Sequence, residues 1–277
     1  MHAAATPTTA THLTVAIAPE SPGFTVPARH NPRLLALADR INADDELRQF
    51  WRCANVNAVD RLNLGDCGEV HVRIVANAAL KLLRLLRDGA MAAQQRLTPD
   101  DAEVVVVLAA ALHDLGLAVH AEAASAAGLA LAALKGRELL AGLYPVRERT
   151  ILLSETLHAV AALDAATRCL TLEAGVLRLA DALDLTKGRV RLSPDGGRGA
   201  AGPPQVEDVT IQRSHQPPVR VIIRLVQAEG VAGLDAFLHA RLRDCRLEGL
   251  VEILARLDGA KADHAVWLNP WSSTADR

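Results

Sequence analysis

The most restrictive feature of this chain is a run of nine residues with no polar side chain, Val104-Val105-Val106-Val107-Leu108-Ala109-Ala110-Ala111-Leu112, which ends on His113-Asp114. An element apolar on every face must be buried on every face, so it needs a shell of other elements around it. Thr98-Pro99-Asp100-Asp101 precedes the run. It supplies an N-cap, a proline at the first helical position and two acids where the helix dipole favours them. Four consecutive valines also permit a strand. The cap and the length of the pattern favour a helix, ending near Gly116.

The shell is legible as further helical patterns. Leu34, Leu35, Leu37, Ala38 and Ile41 recur at helix spacing, followed by Leu47, Phe50 and Trp51. A long helix spans about 68–87, with His71, Val75, Ala78, Ala79, Leu82 and Leu86 along one stripe. Others cover about 121–142, 146–163 and 172–186. Residues 193–204, rich in Gly and Pro, read as a linker. Beyond it Val206, Val209 and Ile211, then Val219, Val221 and Ile223, predict two strands joined through Pro217-Pro218. Two helices, about 233–243 and 247–257, are expected to close the chain. The reading is therefore mainly α: an N-terminal tail over 1–30, with a possible short strand at His12–Ile17, a helical bundle over 31–192, the linker, and a small α+β region over 205–277.

Composition excludes several classes. Across 277 residues, 50% are hydrophobic and the formal charge is −2, too apolar and too nearly neutral for a disordered chain. Thirty Lys+Arg against 32 Asp+Glu give no broad basic surface for nucleic acid. No apolar run approaches the ~20 residues of a membrane span, and the N-terminus carries no signal-peptide pattern. Cys53, Cys67, Cys169 and Cys245 match neither a CxxC metal pattern nor a disulfide framework. They read as free thiols of a cytoplasmic protein. No GxxxxGK[ST] loop or GxSxG elbow occurs, and Trp267 and Trp271 read as packing or tail residues.

The chemistry is expected where polar groups interrupt apolar patterns. His113 and Asp114 end the most hydrophobic helix, His71 lies on the apolar stripe of its own helix, and Asp181 interrupts a third helix. A buried carboxylate needs a cation, a donor network or a proton. Taken singly, His71 reads as a hydrogen-bonded core histidine, and Asp181 either as a partner of Arg178 one turn back or as a ligand. Taken together, two imidazoles and two carboxylates on facing helices form a mixed N/O set that suits Mn²⁺, Fe²⁺, Ni²⁺, Zn²⁺ or, less well, Mg²⁺.

The order His71, His113-Asp114 in Ala110-Ala111-Leu112-His113-Asp114-Leu115-Gly116, then Asp181 in Leu179-Ala180-Asp181-Ala182-Leu183-Asp184 resembles the HD superfamily of metal-dependent phosphohydrolases. Their signature is H…HD…D on successive helices of a bundle. The resemblance covers about residues 60–190. It implies that His71, His113, Asp114 and Asp181 hold one divalent ion, that Asp114 also orients the attacking water, and that a phosphomonoester or phosphodiester, nucleotide-like, is hydrolysed. The region after Val206 is similar to the short C-terminal extension of some prokaryotic members. Dinuclear members carry a further histidine shortly after the position of His158. Residues 159–164 here contain none, which favours one ion and leaves His120 and His158 as substrate-contacting groups or as ordinary polar residues near a cleft rim. Lys187 and Arg189 stand where they can contact phosphate or complement the end of the Asp181 helix. The expected partner is a small phosphorylated molecule, with a homo-oligomer left open. The alternative is a non-catalytic module of the same type that holds a metal or nucleotide and docks a partner.

Overall fold

In a computed structural model of the chain, the residues described are 23–87, 97–185, 206–228, 230–257 and 265–271. The possible strand at His12–Ile17 and the linker at 193–204 lie outside them. Eight α-helices and one four-stranded mixed sheet are present among the described residues.

Side-chain caps set the starts of four of the eight helices. Helix α1 (Pro32–Ala43) starts where the Asn31 side chain accepts from the Leu34 amide, and α2 (Asp45–Asn55) where Asp44 accepts from Leu47. A π-helical turn, Val56–Arg61, extends α2. Helix α3 is Glu69–Arg87. Thr98 caps α4 (Pro99–Leu112) by accepting from the Asp101 amide, and every residue from Ala102 to Leu112 is buried. The strand option for the valine run is thus excluded. The helix stops at Leu112, before Gly116, and a 3-10 turn, Leu115–Ala118, follows. Helices α5 (Ala124–Leu140), α6 (Val146–Ala161) and α7 (Leu172–Ala182) complete the bundle, the last capped by Thr171. Helix α4 is its axis and packs against α1, α3, α5, α6 and α7.

The C-terminal region places β1 (Val206–Arg213) antiparallel to β2 (Val219–Leu225), with the expected prolines in the connection. Helix α8 (Gly230–Leu242) then crosses to β3 (Val251–Leu257), which pairs parallel with β2, and β4 (Ala265–Leu268) pairs antiparallel with β3. A parallel pair requires a crossover element, which α8 provides.

Two expectations need correction. The segment at 247–257 is a turn and a strand, not a helix. Its spacing of Leu247, Leu250, Val251 and Leu254 fits a helix, but Gly249 at φ 72° breaks the helical path and β2 supplies a complete hydrogen-bonding edge. The end of the supposed tail is also ordered: Phe24 (1% exposed) and Ala28 (3%) belong to the core. Phe24 meets the ring of Trp51 at 6.1 Å between centroids, and Arg73 donates to the Gly23 carbonyl. The core is continuous, with Val219, Val221, Ile223, Leu234 and Leu238 in the same cluster as the bundle residues.

Candidate metal centre

The centre forms where α4 ends. The last carbonyls of a helix lack intrahelical donors, and here two side chains supply them. Trp51 Nε1 donates to the Ala111 carbonyl at 2.8 Å, and His113 Nδ1 donates to that of Ala110 at 2.7 Å. The second bond matters chemically. A carbonyl only accepts, so His113 carries its proton on Nδ1 and leaves a lone pair on Nε2.

His71, fully buried on α3, points its Nε2 at that lone pair from 3.0 Å. Its Nδ1 lies 2.7 Å from Asp184 Oδ2. With Asp184 ionised, His71 Nδ1 is the donor and two imidazole lone pairs face each other, an arrangement stable only with a proton or a cation between them. The Asp184 carboxyl is pushed up to about 7 by burial and then by the charges of Asp181 and Asp66, with His113 pulling the other way.

Asp114 and Asp181 close the cluster. Asp114 Oδ2 lies 3.4 Å from His71 Nε2 and from His113 Nε2. It is buried and makes no hydrogen bond, which costs the full desolvation of a charged acceptor unless a cation meets it. Asp181 Oδ1 lies 3.5 Å from His71 Nε2 and 3.9 Å from His113 Nε2. Ligand atoms of His71, His113 and Asp181 all fall within 4.8 Å of one another, so this trio could hold a metal ion. Asp114 is not a member of that compact trio, although its Oδ2 reaches both imidazoles. Donors about 2.1 Å from one ion sit about 3.0 Å apart when adjacent on an octahedron and about 3.4 Å apart on a tetrahedron. The separations of 3.0, 3.4 and 3.5 Å lie near such edges, while the 3.9 Å between His113 Nε2 and Asp181 Oδ1 is longer than either.

Beside the cluster lies a cleft of about 330 Å³, whose walls include His113, Asp114, Asp181, Gly116, Gly128 and Arg241. One wall depends on close backbone approach. A Cβ on Gly116 would stand 1.9 Å from the Ala124 carbonyl oxygen, so only glycine lets the turn after Asp114 meet the start of α5.

The other expected residues are placed differently. Asp181 does not pair with Arg178, whose guanidinium is buried and donates to the carbonyls of Ala162, Asp164, Thr167 and Arg243. Asp181 pairs instead with Arg241, which donates through Nη2 to Oδ2. His120 is exposed, its Nδ1 accepting from the Glu122 amide, and His158 Nε2 accepts from the Leu170 amide. Neither lines the cleft: the His120 imidazole is engaged in a local turn, and that of His158 ties α6 to the segment before α7. Lys187 and Arg189 lie outside the described residues. The sequence reading missed two members. Asp184 is three positions past Asp181, a spacing that places side chains on one helical face, so a signal existed. Arg241 is 60 residues from Asp181 and carries none.

No family model and no solved structure matches the chain. A Methanocaldococcus jannaschii protein described as uncharacterized, MJ1020, is 26% identical over 230 residues, which cover 80% of this chain and 89% of that protein. None of the described helices is long and apolar enough to cross a membrane.

Proposed function

We propose that this chain is a metal-dependent phosphohydrolase of the HD type, cleaving a phosphomonoester or phosphodiester of a nucleotide-like molecule by attack of water. The observation that carries this reading is the convergence of His71 Nε2, His113 Nε2, Asp181 Oδ1 and the unpartnered Asp114 Oδ2 at the wall of a cleft. The four residues are those that the H…HD…D resemblance singles out. The ion fits on physical grounds, since it would satisfy both lone pairs and the stranded carboxylate oxygen together.

His71, His113, Asp114 and Asp181 would hold the ion. A divalent cation so held acidifies water and polarises a phosphoryl oxygen at neutral pH. The protein's own groups do the rest. Asp184 and the Ala110 carbonyl fix both imidazoles with Nε2 toward the shared cluster, and such partners make the ligands more basic. Asp114, adjacent to the cleft, orients the attacking water and accepts its proton. Residues of α5, α6 and α7 and the turn after Asp114 set the walls that hold the ester against that water.

The test is a panel of phosphomonoesters and phosphodiesters, nucleotides included, assayed with Mn²⁺, Ni²⁺ or Mg²⁺, beside elemental analysis of the purified protein. About one divalent ion per chain and hydrolysis lost in Asp181→Ala are expected. Bound metal with no turnover of any ester, together with tight nucleotide or protein binding, would replace this reading with a non-catalytic binding module.

A further inference from the structure

We infer that Arg241, delivered by the C-terminal region, is the anion-binding side chain of the cleft and takes a non-bridging oxygen of a phosphoryl group beside the metal ligands. This rests on the function proposed above and adds to it a recognition residue and a role for the α+β region.

The placement begins with α8. Leu234, Leu238 and Leu242, four residues apart, are its buried face, and that face packs on α7. Arg241 lies three positions after Leu238, on the flank of the buried stripe. Docking of the leucines therefore aims it across the end of α7 at Asp181. Its Nη2 donates to Asp181 Oδ2, while Oδ1 of the same carboxylate faces the imidazoles. One carboxylate thus links the guanidinium to the candidate metal position.

Charge matching to Asp181 does not use up this arginine. A guanidinium carries five N–H donors in a rigid fork. The Arg241 side chain is 36% exposed where that of Asp181 is 9% exposed, and Arg241 borders the same 330 Å³ cleft as His113, Asp114 and Asp181. Its fork stays planar while one arm holds the carboxylate, so the remaining donors are held in a fixed orientation beside the cleft, with little entropy left to lose on binding an oxyanion. Among the described residues bordering the cleft, Arg241 is its one Lys or Arg.

The test uses the full chain, saturated with Mn²⁺, and titrates inorganic phosphate by calorimetry at concentrations that avoid precipitation. Wild type is compared with Arg241→Gln, Arg241→Lys and, as a charge control, Arg243→Gln, a change at an exposed position just past α8. Thermal melts followed by circular dichroism and metal content accompany each variant. The expected result is unchanged metal stoichiometry with phosphate affinity at least tenfold weaker in Arg241→Gln. Arg241→Lys should be intermediate, keeping charge without the fork, and Arg243→Gln should match wild type. Wild-type phosphate affinity in metal-loaded Arg241→Gln would overturn the inference and leave the proposed function standing, with Arg241 reduced to a counter-charge. An equal loss in Arg243→Gln would overturn it too, since general electrostatics would then explain the effect. Failure of wild type to take up any divalent ion would overturn both.

Discussion

Asp184 is not one of the four proposed ligands, yet its contact with Nδ1 decides which nitrogen of His71 faces Asp114 and Asp181. Removing it frees a fully buried imidazole to take the other tautomer and to rotate. Asp184→Ala is expected to weaken Mn²⁺ binding about 10- to 100-fold, measured by competition with a chelator, with the fold retained by circular dichroism. Unchanged affinity would show that α3 packing alone holds the ring. This residue also marks a limit of reading from residue types. Asp181 and Asp184 look alike in Leu179-Ala180-Asp181-Ala182-Leu183-Asp184. Which one faces the cleft and which one backs a histidine depends on how the end of α7 meets α3, and the spacing does not carry that.

At the scale of elements, the α4 terminus, the turn after it and the start of α5 act as one unit. Gly116 allows their backbones to touch, and Asn57 Nδ2 donates to the Leu117 carbonyl at 2.6 Å from the other side. Gly116→Ala must push α5 away or displace the turn that follows Asp114. A loss of about 1–3 kcal/mol in urea unfolding is expected, in the range of core overpacking, together with weaker metal binding. Normal metal affinity in a destabilised Gly116→Ala would show that Asp114 is insulated from the turn. The elements themselves were largely legible. Thr98, Asn31, Asp44 and Thr171 are caps that the sequence displays or permits, and the helices are marked by apolar spacing or, for α4, by an unbroken apolar run. The segment at 247–257 was not. Five or six apolar residues satisfy helix and strand periods alike, and the open edge of β2 decides between them.

Near the end of α4 opposite the metal cluster, Glu103, which is 6% exposed, ties that helix to α3 and to the segment before α1. Arg84 on α3 holds its carboxylate bidentately at 2.7 and 3.0 Å, Asn31 donates at 3.2 Å, and His30 lies 3.1 Å away. Burial alone would raise this carboxyl. The hydrogen bonds from Arg84, Asn31 and His30 and the Arg84 charge together outweigh burial and hold it below its ordinary value of 4.5. A carboxyl depressed in the folded state adds stability above its unfolded value, and that stability fades as pH falls through the folded value. Glu103→Gln is therefore expected to cost about 2 kcal/mol near pH 7, with the difference from wild type shrinking at acid pH below 4.5. Parallel urea titrations check this, and a cost independent of pH would assign the effect to packing.

By itself the sequence determined that α4 is central, that the rest of the bundle surrounds it, and that His71, His113, Asp114 and Asp181 are polar groups bound for an apolar interior. Periodicity, capping and the cost of burying charge act locally or through composition, so one dimension carries them. Packing between distant segments decides that Asp184 backs His71, that Phe24 and Ala28 join the core, that β3 is a strand, and that Arg241 from α8 reaches Asp181. Each of these depends on a surface supplied by a distant segment, and a contact between surfaces leaves no periodic trace in the chain.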